Sequence, residues 1–384
     1  MLGLAGLARF FVSFDSAVII LALPAIAADF RTSVATLTQL GSAIVLGTVA
    51  GLPIAIQADR LGRRRLLVLS VAAFSAANLA SAWSPSLAWL AVTRVVAVCF
   101  ETVADSTAIA LVVEEVAPDL RGLAVAGTTV LAGAGAGLTT LLYPLLAPNW
   151  RALYLVGGTG LAAAGLLALL LPESRAWTAS VAAAGREAPL RILLRPPWRR
   201  HLAVVAGAAA LGLLLYEPAG LFSALFGSRA LGLSPTAISA LTVVSGLASV
   251  PAFVAGGWLS DRLGRRRLAV TLGLLTAALT ALTFTGGQVA YWAGNVGWSV
   301  LASATVPVLG AWYGELFPTR ARATSESAGA VAGALGGIAG LQLVGLLQPR
   351  LGLGPSLAVP AAGAALAALL LLLLPETRGR PLEE

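Results

Sequence analysis

Five ionisable residues stand in stretches otherwise built of Ala, Leu, Val and Gly: Asp15, Arg94, Glu101, Asp105 and Glu217. Charge is costly among apolar neighbours, so such groups are read first as functional. At about 100° per helical residue, Glu101 falls roughly 20° to one side of Arg94 and Asp105 roughly 20° to the other. On a helix all three share one face, which cannot be looking at hydrocarbon. Two carboxylates one turn apart in a dry setting tend to hold a single proton between them. Reversible protonation is therefore the chemistry on offer, with Glu101 as its first candidate and Asp105 and Asp15 next. The alternative is a buried ion-pair network joining Arg94 to these acids.

A second set could bind an organic solute: Glu217 beside Tyr216 and Pro218, and Asn295 with Trp298, which supply aromatic faces and an amide. Arg94 could hold a carboxylate. One His and one Cys in the whole chain leave no His-cluster metal site and no intrachain disulfide. With no His–Ser–Asp grouping and no phosphate-cradling loop, neither an enzyme nor a metal or cofactor site is expected.

These residues must be positioned by membrane helices. Only 11% of the 384 residues are charged, 58% are apolar and the mean hydropathy is +0.89; soluble domains carry roughly 25% charge. Too little polar surface remains to wrap a water-soluble core. Twelve stretches reach the roughly 20 apolar residues needed to span a bilayer: 5–28, 35–57, 66–83, 87–113, 122–147, 151–171, 201–226, 236–258, 268–286, 287–313, 323–348 and 354–374. The expectation is an all-α polytopic membrane protein of two six-helix bundles, 1–171 and 201–384. Between them, 172–200 is a basic linker that either lies on the headgroups or is plain connection.

All 25 positive charges are Arg, and with residue 1 inside, 20 of them fall on inner faces and four on outer turns. That bias sets orientation: both termini cytoplasmic, in the plasma (inner) membrane. The net charge of +8 thus reads as topology and lipid contact, not nucleic-acid binding.

The halves repeat. Asp59-Arg60-Leu61-Gly62-Arg63-Arg64-Arg65 recurs unchanged at Asp261–Arg267, Glu115-x-x-Pro118 with Arg121 recurs as Glu315-x-x-Pro318 with Arg322, and Pro172-Glu173-Ser174-Arg175 recurs as Pro375-Glu376-Thr377-Arg378. Three matches in one order mark duplicated bundles. An Asp there can accept hydrogen bonds at a helix N-terminus and attract the neighbouring Arg side chains. Glycine pairs at Gly47/Gly51, Gly133/Gly137 and Gly329/Gly333/Gly337 allow close helix contact.

The motif Gly-x-x-x-Asp-Arg-x-Gly-Arg-Arg, complete at Gly257–Arg266 and with Ala55 for the leading Gly in the first copy, resembles that of the major facilitator superfamily. The resemblance spans essentially the whole chain. It implies a secondary active transporter working by alternating access, without ATP, as a monomer. Asp59, Arg63, Asp261 and Arg265 would then hold the inner face closed, with Glu115, Arg121, Glu315 and Arg322 as partners. It also implies that the faces of spans 2, 5, 8 and 11 slide past one another; ordinary tight packing fits the same letters.

Two branches compete. Phe14-Asp15-Ser16 followed by Ala22-Leu23-Pro24 is similar to the first span of drug:proton antiporters. Pro375-Glu376-Thr377-Arg378-Gly379-Arg380 is similar to the tail signature of sugar and metabolite porters, and the antiporters' Pro is missing from Gly133-Ala134-Gly135-Ala136-Gly137. The expected partners are therefore a small organic metabolite and protons in symport, with multidrug efflux as the alternative and a transport-dead sensor or scaffold as a remote third.

Overall fold

The computed structural model of the chain describes residues 1–57, 61–117, 120–147, 149–174, 193–318 and 321–378, with only the backbone described at Ile56, Arg121, Gly122 and Ala323. Among the described residues there is no strand, and twelve helices are long and apolar enough to cross a membrane. Hydrocarbon offers backbone N–H and C=O groups no partner, so helices that bond their own backbone are the natural solution.

The helices are α1 (Leu2–Asp29), α2 (Val34–Ile56), α3 (Arg63–Ala82), α4 (Leu87–Glu115), α5 (Arg121–Leu146), α6 (Trp150–Leu170), α7 (Trp198–Leu231), α8 (Pro235–Leu263), α9 (Arg265–Thr285), α10 (Gly287–Leu316), α11 (Arg322–Leu351) and α12 (Leu353–Leu373). Local signals set several ends. Ser86 and Ser234 cap α4 and α8 by accepting from the backbone N–H of Trp89 and Ala237, each at 3.2 Å. The one-residue junction between α9 and α10 leads into Gly287 at φ +76°, a value that suits a residue without Cβ. Helix α12 breaks before Ala361, where Pro360 has no N–H to continue the ladder.

The chain falls into two units, Met1–Ser33 with Leu40–Gly185, and Val34–Gln39 with Arg186–Glu384. Within the first, α1 packs on α5 and α3 on α4 and α6; within the second, α7 packs on α11 and α9 on α10 and α12. The pairings repeat with a shift of six helices, as the sequence repeat requires. Phe74, Leu67 and Leu111 anchor the apolar core of the first unit, and Trp312, Val308 and Phe317 that of the second.

Glycines mark where helix backbones meet, and here the sliding-face expectation needs correction. A Cβ on Gly47 would sit 2.6 Å from the Val95 carbonyl oxygen, and one on Gly51 2.5 Å from that of Cys99. This α2 face is therefore filled by α4 of its own unit. In α5 the close residue is Gly135, against the Phe10 carbonyl, whereas Gly133 and Gly137 have nothing within 4 Å of a would-be Cβ. In α11, Gly336 and Gly340 meet the Ala210 and Leu214 carbonyls of α7. Packing in lipid rests on such contacts because apolar burial drives little association there.

Leu at position 340 would force α7 and α11 apart, and overpacking of this kind costs about 1–3 kcal/mol. Gly340→Leu is expected to lower the unfolding temperature in detergent, while Gly246→Leu, with nothing within 4 Å of its Cβ, leaves it unchanged. Equal behaviour of the two would remove the close-approach explanation.

Candidate functional site

In the first unit the intramembrane charges do not form one cluster. Arg94 on α4 donates through Nη1 to both Asp15 oxygens on α1, at 2.9 and 2.8 Å. Its Nη2 donates to Asn78 Oδ1 at 2.6 Å and its Nε to Ser81 Oγ at 3.2 Å, both on α3. The guanidinium lies over the Tyr154 ring of α6, 4.6 Å from the centroid. Asp15 and Arg94 are each 1% exposed. One guanidinium thus ties four helices together, and its geometry is that of a paired buried charge.

Asp105 has a different partner. Arg9 Nε donates to Asp105 Oδ1 at 2.7 Å, and Arg9 Nη1 to Thr128 and Thr129 of α5 at 3.0 Å each. The expected Glu101–Asp105 pair sharing a proton is therefore corrected: Asp105 is neutralised by Arg9, a residue that charge counting had assigned to topology. The sign that Arg9 does more was its position, a full two turns inside α1.

Glu101 is left over. It is 4% exposed; Ser16 Oγ donates to its Oε2 at 3.4 Å, and its Oε1 is buried with no hydrogen-bond partner among the described residues. Arg94 is already balanced by Asp15. A carboxylate at Glu101 would be a second buried negative charge beside Asp15, with one Arg94 to balance both, the costly case.

The second unit has an aromatic centre. Tyr216 on α7 stacks on Trp298 of α10, centroids 6.4 Å apart and planes at 24°. Trp298 Nε1 is buried with no partner among the described residues. Glu217 follows Tyr216 and fits against Gly337 of α11, where a Cβ would lie 3.1 Å from the Glu217 Cβ and Cγ. No hydrogen bond or ion pair joins Glu217 to the described residues. Asn295 differs from expectation: its Oδ1 accepts from Ser223 at 3.1 Å and its Nδ2 donates to the Tyr291 carbonyl at 2.8 Å. Its amide is thereby engaged in the fold.

At the basic ends the repeat becomes a structure made twice. Arg63 Nη2 meets Glu114 Oε1 at 2.7 Å, and Ser174 Oγ donates to the other Glu114 oxygen at 2.8 Å. Arg265 Nη2 meets Glu315 Oε1 at 3.0 Å, and Thr377 Oγ1 donates to its other oxygen at 2.5 Å. In the first copy Arg63 thus pairs with Glu114, the residue next to the Glu115 expected from the repeat. Consecutive helical residues point about 100° apart, so a shift of one residue changes which neighbour an acid meets.

The helix-terminus role expected of the repeated Asp is also corrected. Asp261 lies in the last turn of α8 and accepts from Arg265 Nη1 at 2.6 Å; Asp59 lies outside the described residues. The N-terminus of α9 is capped by Glu376, which accepts from the backbone N–H of Arg265 at 2.9 Å and of Arg266 at 3.0 Å. Glu173 does likewise for Arg64 at 2.9 Å. This explains the repeated Gly as well. Gly62 and Gly264 have φ of +92° and +96°, and a Cβ on them would meet the Glu173 and Glu376 carboxylates at 2.6 and 2.8 Å. Arg322 is half-buried beside Gly314, its Nε and Nη2 without partners among the described residues; the Arg121 side chain is outside what is described.

With this geometry in hand, the chain can be compared with known proteins. Its sequence matches the Major Facilitator Superfamily over residues 5–340 and 218–384. It is 30% identical over 401 residues to the gallate transporter of Pseudomonas putida, covering 94% of this chain and 88% of that protein. It is 30% identical over 265 residues to the multidrug resistance protein B homolog of Mycobacterium tuberculosis (strain CDC 1551 / Oshkosh), covering 67% and 44%. Its fold is similar to that of a D-xylose-proton symporter, with a TM-score of 0.76 at 17% identity over 99% of each chain. The chain belongs to the major facilitator superfamily. It is a multi-pass membrane transporter and not an enzyme.

Two tests address the charged centres. Asp15→Asn strands the buried Arg94 and is expected to cost about 3–5 kcal/mol, read as a lowered unfolding temperature; replacing both partners, by Asp15→Leu with Arg94→Met, recovers part of it. If the single variant unfolds like the wild type, the pair does not hold α1, α3 and α4. Burial pushes the Glu376 carboxyl up, but the backbone N–H groups of Arg265, Arg378, Arg266 and Thr377 outweigh it and hold it below its ordinary 4.5. A depressed carboxylate stabilises the fold above its unfolded pKa and loses that contribution as pH falls through the folded one. Glu376→Gln should therefore be less stable than wild type at pH 7, and the gap should close as pH drops below about 4.5. A gap independent of pH would reject the cap.

Proposed function

We propose that this protein takes up a small organic metabolite by proton symport through alternating access, with Glu101 as the group that carries the coupling proton. The observation that carries this reading is the burial of Glu101 next to an Asp15 carboxylate that Arg94 already neutralises, with Oε1 making no hydrogen bond to the described residues. A lone carboxyl there is tolerated when protonated and costly when charged. It can release its proton only when water or a solute reaches it, which ties proton movement to the transport cycle.

The solute would meet the second unit at Tyr216, Trp298 and Glu217. The stacked rings offer an aromatic or ring-shaped compound a face, and the unpartnered indole N–H offers it a donor. Gallate, the compound named for the Pseudomonas putida relative, is one such ring, and the D-xylose-proton symporter supplies a precedent for the fold. The paired Arg/Glu networks at the basic ends of α3 and α9, assigned to the cytoplasmic side by the Arg bias, would break and re-form as the inner face opens.

The Mycobacterium tuberculosis relative favours a second reading, efflux of cationic drugs in exchange for protons. Asp15 is locked to Arg94 in this chain, which takes a membrane acid away from an incoming cation and weighs against that reading.

Proteoliposomes loaded against pooled organic acids and sugars test the proposal. A one-unit inward pH gradient supplies about 1.4 kcal/mol, enough for up to tenfold accumulation at one proton per solute. Glu101→Gln should abolish accumulation while retaining exchange of solute across the membrane at equal pH. Undiminished accumulation by Glu101→Gln would sink the coupling role, and proton-driven expulsion of cationic dyes would replace uptake with efflux.

A further inference from the structure

We infer that the second unit carries a site for an anionic phospholipid, its phosphate held between Arg200 and Arg266 and its acyl chains laid along Leu372 and Leu373. The two Arg, with Pro197, His201 and Pro375, line a cavity of about 340 Å³ whose remaining wall is the end of α12. That volume is at the lower end of the range for small-molecule sites.

Three features of the cavity select its occupant. The first is charge. The Arg200 side chain makes no hydrogen bond or ion pair to the described residues, and the Arg266 guanidinium makes one long bond, Nη1 to the Leu374 carbonyl at 3.4 Å. Each guanidinium has five N–H donors in a planar fork suited to phosphate. The nearby acid is Glu376, and its two oxygens are occupied by the backbone N–H groups of Arg265, Arg266, Thr377 and Arg378. Two cations thus face the cavity with most donors unspent.

The second is depth. Arg200 is the third residue of α7 and Arg266 the second of α9. Both lie where a membrane helix begins, at headgroup level. Trp198, at the same level, packs its ring edge-on to His201 with centroids 6.0 Å apart, as aromatic side chains do at the membrane interface.

The third is the apolar wall. Leu372 and Leu373 are 49% and 51% exposed and belong to the last turn of a span. A soluble phosphate would make no use of them, whereas a diacyl lipid covers them with its chains while its head reaches the cations. Basic pockets between membrane helices recognise lipid heads by this combination.

The test uses the full-length protein, delipidated in detergent and titrated with phosphatidylglycerol or phosphatidylcholine, with bound lipid counted by native mass spectrometry. Phosphatidylglycerol should be retained over phosphatidylcholine. Arg200→Gln and Arg266→Gln should each weaken its retention about fivefold, the share of one Arg near an anionic surface. Arg262→Gln, at the same end of the unit but stacked on Trp258, should leave retention unchanged. Leu373→Ser should weaken the lipid without altering any effect of glycerol 3-phosphate. Equal retention of both lipids, an equal loss in Arg262→Gln, or displacement of phosphatidylglycerol by equimolar glycerol 3-phosphate would each overturn the site. Arg200 is exposed, so Arg200→Gln decides the matter even if Arg266→Gln disturbs α9.

Discussion

A charge placed among membrane helices must meet an opposite charge, a set of hydrogen bonds or a proton, because hydrocarbon supplies none of these. The first unit satisfies this constraint at Arg94 by spending nearly every donor of one guanidinium: two contacts to Asp15, one to Asn78, one to Ser81, and the ring of Tyr154 behind it. Those partners come from α1, α3 and α6, and Arg94 itself from α4. The pair therefore sets the relative register of these helices, and removing one partner leaves the other without solvation. Arg9 and Asp105 repeat the device between α1 and α4, with two threonines of α5 completing the shell. Once these two pairs are made, the mid-membrane acid of α4 with no cation of its own is Glu101, and that follows from the balance of the others.

At its centre the second unit has, among the described residues, no counterpart of the Arg94 guanidinium. Where the first unit has a guanidinium bridging four helices, the second has Tyr216 on Trp298, and Tyr291, Asn295 and Ser223 bonded to one another. The duplicated bundles have thus kept their helix pairings and their basic-end networks and diverged in their centres. Residues that hold the bundle shape are under the same geometric demand in both copies. Residues at the centres are not, which allows one half to carry charge and the other to offer aromatic surface.

How much of this could be read from the letters depends on the kind of interaction. The twelve spans and the duplication were legible because apolar run length and repeated motifs are properties of a single strand of text. That Arg94, Glu101 and Asp105 share one face of α4 was legible from helical periodicity, which gives angles along one helix. What periodicity does not give is the partner on another helix. Arg9 counted as a topological charge until Asp105 lay 2.7 Å away. Spacing to Pro118 points to Glu115, but the acid paired with Arg63 is its neighbour Glu114, and one residue of register is a rotation of about 100°. Gly47 and Gly51 were visible as a small-residue pair, yet only the fold says that the backbone they admit is that of α4.

The repeated Gly of the basic motif joins these strands of argument. Its positive φ turns the chain sharply between α8 and α9, and its missing Cβ leaves the space that Glu376 fills. Glu376 in turn satisfies the first N–H groups of α9, which no residue of that helix could reach, and its neighbour Thr377 binds the acid that holds Arg265. The tail after α12, the turn before α9 and the end of α10 are therefore one connected set of hydrogen bonds. Arg266 belongs to that set through its backbone N–H and to the neighbouring cavity through its side chain. A ligand shifts a conformational equilibrium only by binding its states unequally. An anion held by Arg266 would do so if the α9 end moves when the network breaks, since its second contact, Arg200, sits on a different helix. The cavity would then read the state of the network through the separation of two guanidinium groups.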